Sequence, residues 1–529
     1  MRTKTLDQLL AALPVAARAR SASVDFSQIA ITGITKDSRT VMPGALFVAY
    51  CGVEYDLHRF IPDALARGAA AVVCEEDSWC GEEHVDVPCF VTENGRQAFA
   101  HLCAAWYDHP TRDLVIVGVT GTDGKTTTST LIFHILRAAG LRAGMITTVN
   151  AVIGDHTLDT GLHTTTPDAD ELQGYLAQMR DAGLSHCVLE TTSHGLAQHR
   201  VDGIEFDVAV ITNITHEHLD LHGTREAYRA AKGRLFEMVG AARRSAVHPP
   251  HKAAVTPTSV LNADDPFSFE YLRGMPAARH VIYSAHADAA SAGGDVQAIR
   301  VAHLPSGLAL TVRTPRGALE LNSALIGEFN VSNILAAVGA ALALDIPDEA
   351  IRVGVAGMTG VPGRMERINL GQPFTAIVDF AHTPNALEQT LRALRPLTAG
   401  RLIVVFGCAG ERDTLKRPMM GRAAAQYADV IVLTAEDPRR ESLEAIIDQI
   451  VAGIDHPAAE VLRVPDRAQA IRTACALAEP GDIVVSCGKG HEQSMCFGTT
   501  ETPWDEREAM RAAIRHWFAV RSGSNQPAQ

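Results

Sequence analysis

The sequence predicts an α/β protein of three domains, and three observations predict it. At 529 residues the chain has room for three or four domains of about 150 residues each. Residues 114–119 (LVIVGV) form a continuous apolar, β-branched run, the pattern of a strand buried on both faces, and a glycine-rich loop and a helical period follow. A second series of such runs begins near Ala376, at 376–378, 402–406, 430–433 and 483–485, with helical segments between them. That alternation is the mark of a mostly parallel sheet covered on both faces.

Taken in order, Leu6, Leu9, Leu10 and Leu13 fall at helical spacing and predict an amphipathic surface helix. The apolar run there is short, holds Pro14 and leads into Arg18 and Arg20, which does not suit a signal peptide. The helical period over 126–139 ends at Gly140, placed as its C′ residue. Residues 187–189 and 208–211 read as further buried strands of the same sheet. Residues 241–260 carry three prolines and several basic side chains and read as a surface loop. The segment at 361–364 (VPGR) reads as a hinge, and 522–529 as a frayed tail. The three domains expected are 1–111, 112–357 and 358–529.

Composition narrows the function classes. Hydrophobic residues are 47% and charged residues 20%, enough apolar material for three cores. Lys plus Arg is 47 and Asp plus Glu is 61, a net charge of −14, which argues against a general nucleic-acid binder but leaves room for an anionic ligand in a small local site. Ten cysteines show no paired CxxC spacing, so neither a disulfide scaffold nor a structural zinc is indicated, and reduced thiols are expected. No stretch of about 18 apolar residues suggests a membrane span. A cytoplasmic protein is the expectation.

The strongest motif is 118–128, GVTGTDGKTTT. Glycines let a backbone curl around phosphate oxygens with its N–H groups pointing inward. Lys125 can neutralise β- and γ-phosphate charge, and the Thr126 hydroxyl can ligate Mg²⁺. The plainer alternative is a glycine-rich turn before a helix; its place between a buried strand and a helix favours nucleotide binding. Glu190 follows the strand at 187–189, on the ligand side of such a sheet, and is a candidate Mg²⁺ ligand or, more plainly, a cap or loop acid. His216, His218 and His222 follow the strand at 208–211, but their spacing is not HExxH and the nearby phosphate loop favours Mg²⁺ over zinc. One histidine–metal contact and simple hydrogen bonding both stand. Lys232 sits in a helical segment and by itself reads as a solvated face residue. Asn330 and Asn333 lie three apart at a helix start, where Asn330 is an N-cap or an amide that reads a purine edge.

In this order, these segments resemble the Mur ligases of peptidoglycan synthesis, and among them the type that adds the third peptide residue. The likeness covers nearly the whole chain: TKDSRTVMPGALFVAYCG at 35–52, GTDGKTTT, TTTPDAD at 164–170, ETTSHGLAQHR at 190–200, NITHEHLDLHG at 213–223, YRAAKGRLF at 228–236, EFNVSNILAA at 328–337, PGRME, DFAHTPNAL at 379–387, FGCAGERDTLKRPMMG at 406–421, EDPRRE and GKGHE at 488–492. The resemblance implies a uridine-nucleotide-binding α/β domain, a central P-loop ATPase-like domain and a Rossmann-like C-terminal domain that takes the acceptor amino acid. It implies that ATP phosphorylates a carboxylate of UDP-N-acetylmuramoyl-L-alanyl-D-glutamate and that the amine of a free diamino acid attacks the acyl phosphate. Lys125, Glu190, His218 and Lys232 would be catalytic, with Mg²⁺ on Thr126, Glu190, His218 and a carbamylated Lys232. Gly121, Thr122, Asp123, Gly124, Lys125, Thr126, Thr127, Asn330, Asn333, Arg364 and Asp379 would contact ATP, Asp379 at the ribose. Ser38 and the loop near 52–55 would hold the uridine nucleotide, and Thr165, Thr166, Thr192, Gln198 and Arg200 the muramoyl dipeptide. Arg412, Glu436, Asp437, Arg439, Gly488 and Glu492 would form the acceptor site. The family is usually monomeric.

Two departures from the family pattern bear on chemistry. Asp123 stands where Asn is usual, an acid beside phosphates, and is expected to face a backbone donor or a cation. Glu436-Asp437-Pro438-Arg439 stands where enzymes that add meso-diaminopimelate read Asp-Asn-Pro-Arg. Arg439 suits the distal carboxylate of diaminopimelate, while the added acid suits a bare terminal ammonium, so meso-diaminopimelate leads, with ornithine or lysine as the alternative. A folylpolyglutamate synthase-like ligase and a non-catalytic nucleotide-binding regulator are more distant readings.

Overall fold

The computed structural model describes all residues except 1, 16, 20–25, 53–54, 76–86, 159–165, 216–221, 242–247, 287–293, 305–306, 455–458 and 524–529. It is an α/β protein built on three principal sheets. The N-terminal sheet has five strands in the order Arg18–Ala19, Cys89–Val91, Ala71–Cys74, Ala45–Val48 and Gly33–Thr35, the last four mutually parallel. The amphipathic helix expected at the start is Leu6–Leu10, shorter than its leucine spacing suggests, with Leu6 and Leu9 in the core. Among the described residues Cys89 is disulfide-bonded, contrary to the expectation of reduced thiols throughout.

The central sheet has eleven strands. Its parallel heart runs Ala143–Ile146, His186–Glu190, Val115–Thr120, Val208–Ile211, Thr258–Asn262 and Arg279–Ser284. Val115, Ile116, Val117 and Val119 are all fully buried, as a strand with helices on both faces requires. Each such side chain contributes roughly 1.5–3 kcal/mol of burial free energy. Because Val115–Thr120 lies between two strands later in sequence, the chain leaves it in both directions, and a crevice opens at its C-terminal end. The helix Lys125–Ala138 rises from that end and stops with Gly140 at φ +75°, the C′ position expected. It packs on Phe329–Ala343 and Asp348–Gly357 so closely that a Cβ on Gly354 would lie 2.4 Å from the Ile135 Cα.

The C-terminal sheet runs Glu366–Ile368, Thr375–Asp379, Ile483–Cys487, Leu402–Phe406, Val430–Leu433 and Glu460–Arg463, parallel after its first strand. All four strands read from the sequence in this region are present, each within two residues of its expected ends.

The region 241–260 is a correction. Among its described residues are a short helix, Pro250–Ala253, and the start of the strand Thr258–Asn262. Lys252 is buried and donates to Leu114 O at 2.9 Å and to the Asp207 carboxylate. The prolines and basic residues suggested solvent, but the ion pair takes this segment under the sheet. No described helix is long and apolar enough to cross a membrane.

Candidate active site

The loop after Val115–Thr120 is shaped by glycine. Gly121 has φ +150°, and a Cβ there would lie 1.8 Å from Thr212 Oγ1. Gly124 has φ +82°, and a Cβ would meet Asn333 Oδ1 at 2.2 Å. The residues after the neighbouring strand hold the loop in place: Asn213 O accepts from Thr122 N at 2.8 Å, and Asn213 Oδ1 from Asp123 N at 3.0 Å. Thr212 Oγ1 donates to Asp123 O at 2.6 Å. Thr212 and Asn213 were given no role from sequence, although their place after a parallel strand could have marked them. Lys125 opens the helix and donates to Thr122 O at 2.7 Å.

Glu190 is buried at the end of its strand beside this loop. Its carboxylate accepts from Thr126 Oγ1 at 2.9 Å, from Thr148 Oγ1 at 3.0 Å and from Thr148 N at 3.2 Å. Lys232 is buried too, at 1% exposure, which corrects its reading as a solvated face residue. Its ammonium donates to Gly121 O at 2.6 Å and lies 4.4 Å from the Tyr228 ring centroid. Three groups from different segments thus meet under one loop. His218 and His216 lie outside the described residues, as does Thr165. Among the described residues no three His, Cys, Asp or Glu side chains form a group that could hold a metal ion. The donors present, a hydroxyl beside a carboxylate, are hard oxygens of the kind that suit Mg²⁺ when phosphate and water complete its shell.

Thr166 and Thr192 face one another, hydroxyl to hydroxyl, at 3.0 Å. Arg200 donates to Thr166 O at 2.8 Å and to Gln198 Oε1 at 2.7 Å, and its Nε lies 3.1 Å from Asp168. Asp168 also pairs with Lys36 of the N-terminal domain, beside the turn Ser38–Thr40 in which Ser38 is buried. Gly52 N donates to Tyr55 O at 2.9 Å; residues 53–54 of that loop lie outside the described set. Asn330 is inside its helix, with Glu328 at the cap, so the N-cap reading fails. It donates to Ile326 O and accepts from Asn333 at 2.9 Å. Asp379 accepts from Met365 N at 2.7 Å, Thr390 Oγ1 at 3.0 Å and Ala381 N at 3.1 Å. The Arg364 guanidinium lies 4.3 Å from the Phe380 ring centroid, and His491 packs on the same ring. Burial, with Arg364 nearby, holds the His491 imidazole down at about 3.

Asp123 was expected to face a backbone donor or a cation. Its carboxylate accepts the side-chain amide of Asn385, from the C-terminal domain, at 3.2 Å.

The acceptor residues gather at the C-terminal ends of Val430–Leu433 and Ile483–Cys487. Glu436 is buried, its Oε2 has no hydrogen-bond partner, and burial pushes its carboxyl up to about 7. Gly488, at φ +109°, leaves space for it: a Cβ there would lie 2.7 Å from Glu436 Oε2. Asp437 is neutralised by Lys489, at 3.0 and 3.1 Å, and also accepts from Cys496 N at 2.9 Å. The charge that Asp437 was expected to add is therefore already matched. Lys489 also pairs with Glu492 at 2.5 Å. Arg439, at φ +53°, makes no ion pair among the described residues, and its buried Nε has no partner. Arg412 is exposed on the adjoining loop. Sequence reasoning missed Arg467, fully buried, which donates to Ala435 O at 2.9 Å and Cys487 O at 2.7 Å while pairing with Glu506. It ties together the residues just before Glu436 and Gly488, and its partner 39 positions away left no local pattern to find.

Comparison with known proteins agrees with this geometry along most of the chain. Residues 30–107 match the Mur ligase family catalytic domain, 119–341 the Mur ligase middle domain, and 363–490 the Mur ligase glutamate ligase domain. The chain is 48% identical over 491 residues to a UDP-N-acetylmuramyl-tripeptide synthetase of Roseiflexus sp. (strain RS-1), covering 92% of this chain and 94% of that protein. It is 41% identical over 485 residues to a UDP-N-acetylmuramoyl-L-alanyl-D-glutamate–2,6-diaminopimelate ligase of Geobacillus kaustophilus (strain HTA426), covering 92% and 95%. A solved structure of a ligase with that same 2,6-diaminopimelate name superimposes with a TM-score of 0.66 at 30% identity, over 98% of this chain and 99% of that one. The phosphate loop, the buried carboxylate beside it and three matched domains make this chain a member of the Mur ligase family, an ATP-dependent ligase that forms amide bonds.

Proposed function

We propose that the chain joins meso-diaminopimelate to UDP-N-acetylmuramoyl-L-alanyl-D-glutamate, in the cytoplasm and as a monomer. The observation that carries the acceptor is the contrast between two charged neighbours. Asp437 is occupied by Lys489, whereas Arg439 has no carboxylate partner among the described residues. An open guanidinium beside a matched acid suits the second carboxylate of diaminopimelate better than a bare ammonium. The names of the Geobacillus relative and of the superimposed structure point the same way. A second reading, ornithine or lysine, draws on Glu436, whose unpartnered oxygen would suit an ammonium.

In this reading the N–H groups of 121–127 and the Lys125 ammonium hold the triphosphate. Asn330, Asn333, Arg364 and Asp379 bound the rest of the nucleotide, with Asp379 at the ribose. Ser38 and the 52–55 loop take the uridine nucleotide, and Thr166, Thr192, Gln198 and Arg200 orient the muramoyl dipeptide. The dipeptide's carboxylate oxygen attacks the γ-phosphorus and ADP leaves. The acceptor's amine, having lost its proton, then attacks the acyl carbon, and the carbon–oxygen bond breaks to release phosphate. Thr126, Glu190 and a carbamylated Lys232 would hold Mg²⁺, which when bound neutralises phosphate charge.

An acceptor panel tests this. Purified enzyme with ATP and the muramoyl dipeptide should show a kcat/KM for meso-diaminopimelate at least about tenfold above lysine and ornithine. Equal or better use of lysine or ornithine would overturn the acceptor assignment. ATP turnover without any muramoyl dipeptide would overturn the ligase reading itself.

A further inference from the structure

The contact between Asp123 and Asn385 crosses from the phosphate loop to another domain. Asp123 sits between Gly121 and Gly124, and its backbone is fixed by Thr212 and Asn213, so its carboxylate is presented from a rigid base. Asn385 is the second residue of the helix Pro384–Leu394, which follows the strand bearing Asp379 and is capped by Thr383. That end of the helix carries partial positive charge, so an acid facing it is favoured beyond the single hydrogen bond. The same C-terminal sheet bears Glu436, Arg439 and Gly488 at its strand ends. Whatever fixes this helix against the phosphate loop also fixes the distance from the acceptor residues to the triphosphate.

We propose that Asp123 and Asn385 are a positioning pair that docks the C-terminal domain on the phosphate loop and so brings the acceptor's amine into reach of the acyl phosphate. The acid that stood out in the loop has a structural partner, and its charge is turned toward a helix start. This assignment rests on the phosphate-loop reading above. Neither residue exchanges atoms with a substrate in this role; both act through alignment.

Three variants test it by a pattern that a general structural role would not produce. Asn385→Ala removes the donor without changing charge and should lower kcat/KM for the acceptor about three- to tenfold, the range of one exposed hydrogen bond. Its affinity for ATP, measured by direct titration, should stay within about twofold of the natural protein. Asn385→Asp sets two carboxylates against one another and should lose more, although an acid in the first turn favours the helix itself. The exchange D123N/N385D restores one amide and one acid and should recover most of what N385D loses. Acceptor kinetics of N385A equal to those of the natural protein would overturn the proposal, because a charge effect alone predicts that outcome. Failure of the exchange to recover N385D would overturn it too. Absence of ligase activity in the natural protein would instead defeat the phosphate-loop reading, so the two failures are distinguishable.

Discussion

Lys489 sits against Asp437 with its ammonium 3.0 and 3.1 Å from the two carboxylate oxygens, in a place where Asp437 is 8% exposed and Lys489 not at all. Burial works against the ammonium, but Glu492 and Asp437 together hold it above the usual lysine range. The pair converts an unexpected acid into part of the pocket wall. Lys489→Met should therefore cost about 3–5 kcal/mol, because it strands a buried carboxylate. Asp437→Asn should cost far less, since Glu492 still pairs with the lysine. Thermal unfolding of the two variants side by side checks this; equal midpoints would show that the pair is not what holds the pocket.

Glu436 supplies a pH dependence. Its folded carboxyl titrates near 7 against an ordinary 4.5, so between those values the folded state binds more protons than the unfolded one. Stability from this group is present below pH 4.5 and lost as pH rises through 7, worth about 3 kcal/mol across the window. His491 acts in the opposite direction: held near 3, it favours the folded state as pH rises from 3 to 6.5. Glu436→Gln should thus gain in unfolding midpoint relative to the natural protein between pH 5 and 8. A constant difference across that range would remove the titration from Glu436.

Glu190 separates activity from stability. It is a buried carboxylate among hydroxyl and amide donors, and Glu190→Gln keeps its shape while removing the charge. Turnover should fall on the order of a hundredfold or more, as when a single preorganised electrostatic group is removed. The unfolding midpoint should hold or rise, since a buried charge has gone. Removal of divalent metal by a chelator should abolish turnover of the natural protein. Retained activity in either case would take the cation away from Glu190.

The strands and the phosphate loop were legible because their signals are local. Apolar β-branched runs, the loop glycines and Gly140 each declare themselves within a few residues. What escaped the sequence depends on partners far along the chain. Lys232 looked like a surface lysine because nothing nearby shows that Gly121, 111 positions earlier, accepts from it. Asp437 looked like surplus charge because Lys489 is 52 positions away. Residues 241–260 looked solvated because their basic side chains gave no hint of Asp207. Resemblance to a family supplied roles where local patterns were silent, as at Thr165, or left alternatives open, as at His218, and it did not supply the contacts that explain the departures.

Two glycines should separate the substrates kinetically. Gly124→Ala places a methyl group 2.2 Å from Asn333 Oδ1 at φ +82°, and Gly488→Ala places one 2.7 Å from Glu436 Oε2 at φ +109°. Strain of about 1–3 kcal/mol at such positions corresponds to roughly five- to 150-fold in an affinity. The first variant should raise KM for ATP and the second KM for the amino acid, each leaving the other within about twofold. Initial-rate kinetics with one substrate varied at a time reads this directly. If both variants moved the same constant, the two loops would not be serving different substrates.

The ion pair of Lys252 and Asp207 lies at the opposite end of the central sheet from the phosphate loop and predicts a purely structural phenotype. Lys252 is 1% exposed, and Asp207, also 1% exposed, accepts in addition from Ile116 N at 2.8 Å, the strand that leads to the loop. Lys252→Met leaves that carboxylate buried without its ammonium, at a cost of about 3–5 kcal/mol. In K252M/D207N the stranded charge is gone, so part of the loss should return, the neutral amide still facing Ile116 N with one oxygen. Because the strand transmits position only through its own backbone ladder, kcat and both KM values of K252M at 20 °C should stay within about twofold of the natural protein while its unfolding midpoint drops by several degrees. A K252M enzyme that keeps its midpoint but loses turnover would mean that this end of the sheet communicates with the site, and the pair would then have to be placed in the reaction's machinery after all.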